Sequence, residues 1–182
     1  MTRKLLLTAV LLLIVGGAAG LWVGVDGGGG GDGEGASPAE EASLAVPAAV
    51  VGFPTLEGDT ASLADYRGRV VLLNLWGTWC PPCRREVPDL VELQAEIEPR
   101  GATVVGLAVD SGTPAEIREF AERYGINYPI WRSDGRTVVE HYRARGYPTT
   151  LLIDREGVIR ERFLGAQTKR ELMAELEPWL EG

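Results

Sequence analysis

The only two cysteines of the chain, Cys80 and Cys83, lie in the run Trp79-Cys80-Pro81-Pro82-Cys83, and their spacing constrains everything around them. Two thiols at this separation can close a small ring and reopen it. With no other cysteine, the chain cannot build a disulfide framework. The run upstream, Val70-Val71-Leu72-Leu73-Asn74-Leu75-Trp76, is apolar and rich in strand formers, whereas Cys83 to Ile97 reads as a helix. A C-x-x-C pair at such a strand-to-helix junction is the placement expected of a redox-active dithiol.

Thiol–disulfide exchange needs a thiolate, and a free cysteine is mostly protonated at neutral pH. Unpaired N–H groups and aligned peptide dipoles at a helix N-terminus favour negative charge and lower a thiol's pKa. Cys80, one step outside the helix, is therefore expected to be the exposed, attacking sulfur. Cys83, about a turn further in, is the shielded, resolving one. Pro81 and Pro82 suit a helix start, where their missing N–H would have no partner anyway. A purely structural disulfide and half of a zinc site are the competing readings. The first would close too short a loop to stabilise much. The second lacks ligands, because the only histidine, His141, is distant and no second C-x-x-C exists.

Leu5 to Val25 is a 21-residue uncharged stretch preceded by Arg3 and Lys4. It is long enough to span a bilayer, and the basic flank predicts an N-terminus inside and the remainder outside. Gly17-Ala18-Ala19 also offers a signal-peptide cleavage site, but apolar sequence continues through Leu21-Trp22-Val23, which favours a retained anchor over residues 1–25. Residues 26–47, glycine-rich and then rich in Ala, Glu and Pro, read as a flexible tether. Residues 48–182 are the size of one compact domain. The net charge of −8 counts Arg3 and Lys4, so the exported part is more acidic still, with no attraction for nucleic acid or an anionic membrane surface.

Within that domain Val50–Leu56 and Thr60–Leu63 flank the turn Glu57-Gly58-Asp59, an N-terminal hairpin. Arg69–Trp76 and Thr103–Asp110 are continuously apolar, as in a parallel sheet buried on both faces. Helices follow from Cys83 to Glu98, with Pro88 kinking the first turns, and from Thr113-Pro114 through Tyr124 to a stop at Gly125. An extended piece at Asn127–Arg132 and a helix at Thr137–Arg145 come next. Thr149–Asp154 and Val158–Leu164 form a hairpin through Arg155-Glu156-Gly157, and Thr168–Leu180 closes the chain as a helix. The order predicts an α/β domain whose mixed sheet is covered on both faces.

With this order and Leu73-Asn74-Leu75-Trp76-Gly77-Thr78-Trp79-Cys80-Pro81-Pro82-Cys83, the region from about residue 47 onward resembles the thioredoxin superfamily. Within it, the chain is similar to the membrane-tethered TlpA/ResA group of bacterial thiol–disulfide oxidoreductases. Pro88, five residues past Cys83, matches the kink of that family's active-site helix. Gly146-Tyr147-Pro148-Thr149-Thr150-Leu151-Leu152-Ile153-Asp154 resembles the loop and strand that carry a cis proline beside the disulfide. Tyr124-Gly125-Ile126-Asn127-Tyr128-Pro129-Ile130 resembles the group's central insertion into the plain thioredoxin fold. The resemblance implies a cis Pro148 that presents the backbone of Tyr147 to an extended substrate. Trp79 would border the disulfide as a contact surface and Trp76 would be core. Asn74 replaces the buried acid of plain thioredoxins. Glu86, one helical turn after Cys83, would accept the Cys83 proton; from spacing alone a solvated glutamate is the equal alternative.

The activity expected is that of an exported protein-disulfide oxidoreductase whose redox centre is the Cys80–Cys83 disulfide, with no further cofactor and no metal. The resemblance implies electrons from a membrane thiol transporter and clients such as apocytochrome c. An oxidant running in the opposite direction is the alternative. A metal chaperone would want clustered Met and His, yet only Met1, Met173 and His141 are present. A peroxidase of related fold would carry a threonine three residues before its cysteine, where Gly77 stands here.

Overall fold

The computed structural model describes residues 46–48 and 50–181. Its strands are β1 (Val46–Pro47), β2 (Phe53–Pro54), β3 (Thr60–Ala61), β4 (Val70–Trp76), β5 (Ala102–Val109), β6 (Ile130–Ser133), β7 (Thr149–Ile153) and β8 (Val158–Leu164). Its helices are α1 (Pro81–Ile97), α2 (Pro114–Tyr124), α3 (Gly135–Tyr142) and α4 (Lys169–Leu180). The main sheet has the order β1-β8-β7-β4-β5-β6, parallel across β4, β5 and β6 and antiparallel elsewhere. β2 and β3 form the small hairpin expected around Glu57-Gly58-Asp59.

Every residue of β4 and β5 is buried, as continuous apolar runs require. Side chains alternate between the faces. Val71, Leu73, Leu75, Val105, Leu107 and Val109 pack with Phe53, Trp131 and the α3 residues Val138 and Tyr142. Val70, Leu72 and Val104 turn the other way, onto Leu90, Leu93 and Ile97 of α1 and Leu172 and Leu176 of α4. Towards the C-terminal end of β4 that second layer continues through Trp76, Val87, Ile117 and Phe120. Asn74 is the one polar residue in β4, and it points into the α1 layer among these apolar neighbours.

Local chemistry sets the helix ends. Thr113 accepts the Glu116 N–H while Glu116 reaches back to the Thr113 N–H, and Gly125 closes α2 in the left-handed region at φ 65°. Thr168 and Glu171 make the same reciprocal cap on α4. α1 begins at Pro81, two residues before the helix start read from sequence, because Cys80 itself is the N-cap.

The sheet begins at Val46, where Val46–Pro47 pairs with Ile159 and Val158, so the last two residues assigned to the tether are part of the fold. The membrane-spanning segment expected over residues 1–25 and the rest of the tether lie outside the described residues. Among the described residues no helix is long and apolar enough to cross a membrane.

Gly106 of β5 shows how closely this layer is filled. A Cβ there would lie 2.9 Å from Trp76 Nε1 and 3.2 Å from Tyr128 Cε2, and both rings are buried. Gly106→Ala is therefore expected to destabilise the fold by about 1–3 kcal/mol through overpacking. Urea unfolding should read a lower midpoint at unchanged slope. A midpoint equal to that of the parent would mean that the rings can move aside.

Candidate active site

The loop that leaves β4 is held from outside. Thr78 N–H donates to Ser111 Oγ at 3.1 Å, and the Thr78 hydroxyl donates to the Ser111 carbonyl at 3.3 Å. Trp79 Nε1 donates to the Val109 carbonyl at 3.1 Å, and Ser111 Oγ donates to that same carbonyl at 3.0 Å. The end of β5 thus fixes the turn that delivers Cys80. Gly77 is required for it, since a Cβ there would come within 2.6 Å of the Trp79 indole. With its nitrogen tied down, the Trp79 ring remains 50% exposed and meets Tyr147 edge to face at 5.4 Å.

Cys80 and Cys83 are joined, with their Cα atoms 5.3 Å apart. Pro81 and Pro82 have no N–H, so Cys83 supplies the first N–H of α1. It donates to Cys80 Sγ at 3.3 Å, and Arg84 N–H then donates to the Cys80 carbonyl at 3.2 Å. A donor aimed at Cys80 Sγ from a helix start would stabilise a thiolate there. The expectation of an exposed Cys80 is corrected: in the joined state Cys80 is 2% exposed and Cys83 1%. Both sulfurs belong to the layer that holds Trp76, Val87, Ile117 and Phe120, with Tyr147 packed against it. Sequence spacing could not reveal that cover, which comes from distant segments.

Glu86 is buried at 2% exposure, so the reading of an ordinary solvated helix glutamate does not hold. Its Oε2 accepts from Asn74 Nδ2 at 3.1 Å, and its Oε1 accepts from the Gln167 N–H at 3.0 Å. The second Asn74 Nδ2 proton goes to Thr150 Oγ1 at 2.9 Å, directly across the β4–β7 pairing. Burial raises the Glu86 pKa to about 7. The hydrogen bonds from Gln167 and Asn74 work against that rise, and the nearby Asp89 adds to it. A carboxylate one turn from Cys83 is thereby poised to change protonation near neutrality.

The Tyr147–Pro148 peptide bond is cis, and Pro148 is buried. Its carbonyl accepts the Gly165 N–H at 2.9 Å, which ties the loop to the end of β8. The fold brings Trp79, Tyr147 and the disulfide together, and the Asn74 amide joins Glu86 to Thr150. His141 stands exposed on α3. Sequence reasoning did not find Ser111, Thr150 or Gln167. Asn74, the lone polar residue in an otherwise apolar strand, was the available signal that a buried partner had to exist.

The model of the AhpC/TSA family matches residues 43–162. The thiol-disulfide oxidoreductase ResA of Geobacillus thermodenitrificans is 41% identical over 123 residues, which cover 67% of this chain and 70% of that protein. ResA of Bacillus cereus (strain ATCC 10987 / NRS 248) is 31% identical over 172 residues, 93% of each chain. Among solved structures, a DsbF homologue from Corynebacterium diphtheriae superposes with a TM-score of 0.68 at 29% identity, covering 75% of this chain and 88% of that one.

Proposed function

The chain belongs to the AhpC/TSA family and is a thiol–disulfide oxidoreductase of the ResA type, and from that premise we propose that it reduces disulfides in exported proteins. The observation that carries the proposal is the pairing of a sulfur at the cap of α1 with a buried carboxylate one turn beyond its partner. The cycle starts from the dithiol. The Cys80 thiolate attacks one sulfur of a client disulfide, the client S–S bond breaks, and its other sulfur leaves as a thiolate. Glu86 then takes the Cys83 proton. The Cys83 thiolate attacks Cys80 Sγ, the mixed disulfide breaks, and the client's second sulfur departs and is protonated. Two electrons have passed to the client, and the enzyme is left in the joined state.

Trp79, Tyr147 and the backbone before Pro148 form the face on which the client lies extended. A dithiol donor must reopen the Cys80–Cys83 bond after each turnover. Similarity to the ResA group points to a membrane thiol transporter for that step and to apocytochrome c as a client. The basic-flanked apolar segment Leu5 to Val25 would anchor the chain with this domain outside the membrane. The redox centre is the cysteine pair itself, with no added cofactor.

The reduction potential of the pair, measured by equilibration with glutathione or dithiothreitol, tests the direction of electron flow. A reductase should fall near or below the roughly −270 mV of thioredoxin. A value approaching the roughly −120 mV of DsbA would overturn the reductase reading in favour of an oxidant.

A further inference from the structure

Arg143 and Arg145, in the connection from α3 to β7, meet Arg162 of β8 around a pocket of about 380 Å3 whose other walls are Thr149 and Leu164. The pairing of β7 with β8 sets Thr149 opposite Leu164 and Leu151 opposite Arg162, which aligns the two walls. Leu164 is 64% exposed at the rim. Among the described residues none of the three guanidinium groups enters an ion pair, although the chain has a net charge of −8. Partial burial, reinforced by the like charges of Arg145 and Arg143, holds the Arg162 pKa below the usual arginine value. Arg143 also occupies the left-handed C-cap of α3 at φ 51°, where glycine or asparagine is the ordinary choice, so backbone geometry does not account for an arginine there.

Three like charges crowded together without a counter-ion repel one another, and an anionic guest would relieve that repulsion. Guanidinium forks are suited to carboxylates, which they grip through two parallel hydrogen bonds. The pocket also adjoins the client face. Thr149 forms its wall and follows Pro148 directly, the Thr149 hydroxyl donates to the Gly146 carbonyl at 2.7 Å, and Tyr147 packs against the layer that holds both sulfurs. Thr149 is two residues along the chain from Tyr147. A client lying along Tyr147 would bring a residue only a few positions from its cysteine over the three arginines.

We propose that this pocket is a specificity subsite that takes an acidic side chain flanking the client's cysteine. The inference rests on the reductase reading for its setting, but its sign is independent of it. The overall field of an acidic protein repels an acidic peptide, so a preference for acid can arise only from a local cationic site.

The test uses three short disulfide-bearing peptides with Glu-Glu before the cysteine, Glu-Glu after it, or neutral residues in both places. Both placements are needed because Asp110 and Asp134 stand near the Tyr147 hydroxyl and would oppose acid on that side. Reduction of each peptide is followed at low and high salt. Affinity is measured in parallel by fluorescence anisotropy on versions in which serine replaces cysteine, a readout that needs no exchange chemistry. One acidic peptide should exceed the neutral one by about tenfold at low salt and lose most of that gain at high salt. An Arg143→Gln/Arg145→Gln/Arg162→Gln variant should lose the gain and treat the neutral peptide as the parent does. The subsite is overturned if neither acidic peptide binds more tightly than the neutral one, or if the preference survives in the triple variant. Failure to reduce any peptide while the anisotropy preference holds would count against the reductase reading and leave the subsite supported.

Discussion

Cys80→Ser is expected to lower insulin-disulfide reduction by at least about 10³-fold, because no other residue can supply the attacking thiolate. The chain holds no third cysteine. Of the two it has, only Cys80 sits at the cap of α1, where the Cys83 N–H is aimed at its sulfur and where Trp79 and Tyr147 form the neighbouring surface. Cys83 lies inside the first turn of α1, in the apolar layer with Val87. Cys83→Ser should therefore leave the first attack intact and block the second, so the client accumulates as a mixed disulfide on Cys80. Turbidity of precipitating insulin chains reads the first effect, and mass spectrometry of the trapped adduct reads the second. Adduct formation on Cys83 in the Cys80→Ser variant would reverse the assignment of roles. Both sulfurs are covered in the joined state, so the adduct must form from the dithiol, and the proteins have to be reduced and freed of reductant before mixing.

The parts of the fold that were legible in the sequence are those written in local chemistry. The caps Thr113 and Gly125 bound α2 as observed, and Arg155-Glu156-Gly157 marks the turn between β7 and β8. The predominantly apolar runs of β4 and β5, broken only by Asn74 and Thr103, announce a sheet buried on both sides. Two-residue strands carry no period to read, so β1 was invisible: its partner Ile159 lies more than a hundred positions away. The candidate site divides in the same way. Cys80, Cys83 and the junction that holds them follow from spacing, and Trp79, Pro148 and Glu86 were singled out largely through resemblance. The state of Glu86 is a tertiary property, because Asn74 reaches it from β4 and Gln167 from the loop before α4. Spacing along one helix placed Glu86 on the Cys83 side but could not exclude water from it.

Exclusion of water gives Glu86 two linked pH signatures, and Glu86→Gln should erase both. The first is in stability. The ordinary pKa of a glutamate here is 4.5 and the folded value is about 7. Between those values the folded chain keeps a proton that the unfolded chain has released, so stability falls as pH rises through that window and levels off above it. At about 1.4 kcal/mol per pH unit, the full loss is about 3–4 kcal/mol. The second signature is in catalysis and has the opposite sign. Proton acceptance from Cys83 requires the carboxylate, whose population rises about tenfold between pH 6 and pH 8 for a group titrating near 7. Resolution of a preformed mixed disulfide on Cys80 should accelerate accordingly in single-turnover measurements. In Glu86→Gln that step should be slower by about 10²-fold at pH 8, without the inflection near 7. The absolute stability of the variant is a poor guide, since Asn74 Nδ2 and the Gln167 N–H both donate to this side chain and an amide has only one acceptor for them. One donor is left unmatched, at a cost of about 1–3 kcal/mol. That cost does not depend on pH, so the slope of the urea midpoint between pH 5 and pH 8 isolates the titration. Should Glu86→Gln retain both the parent's slope and its inflection in the resolution rate, the proton acceptor for Cys83 must be sought elsewhere.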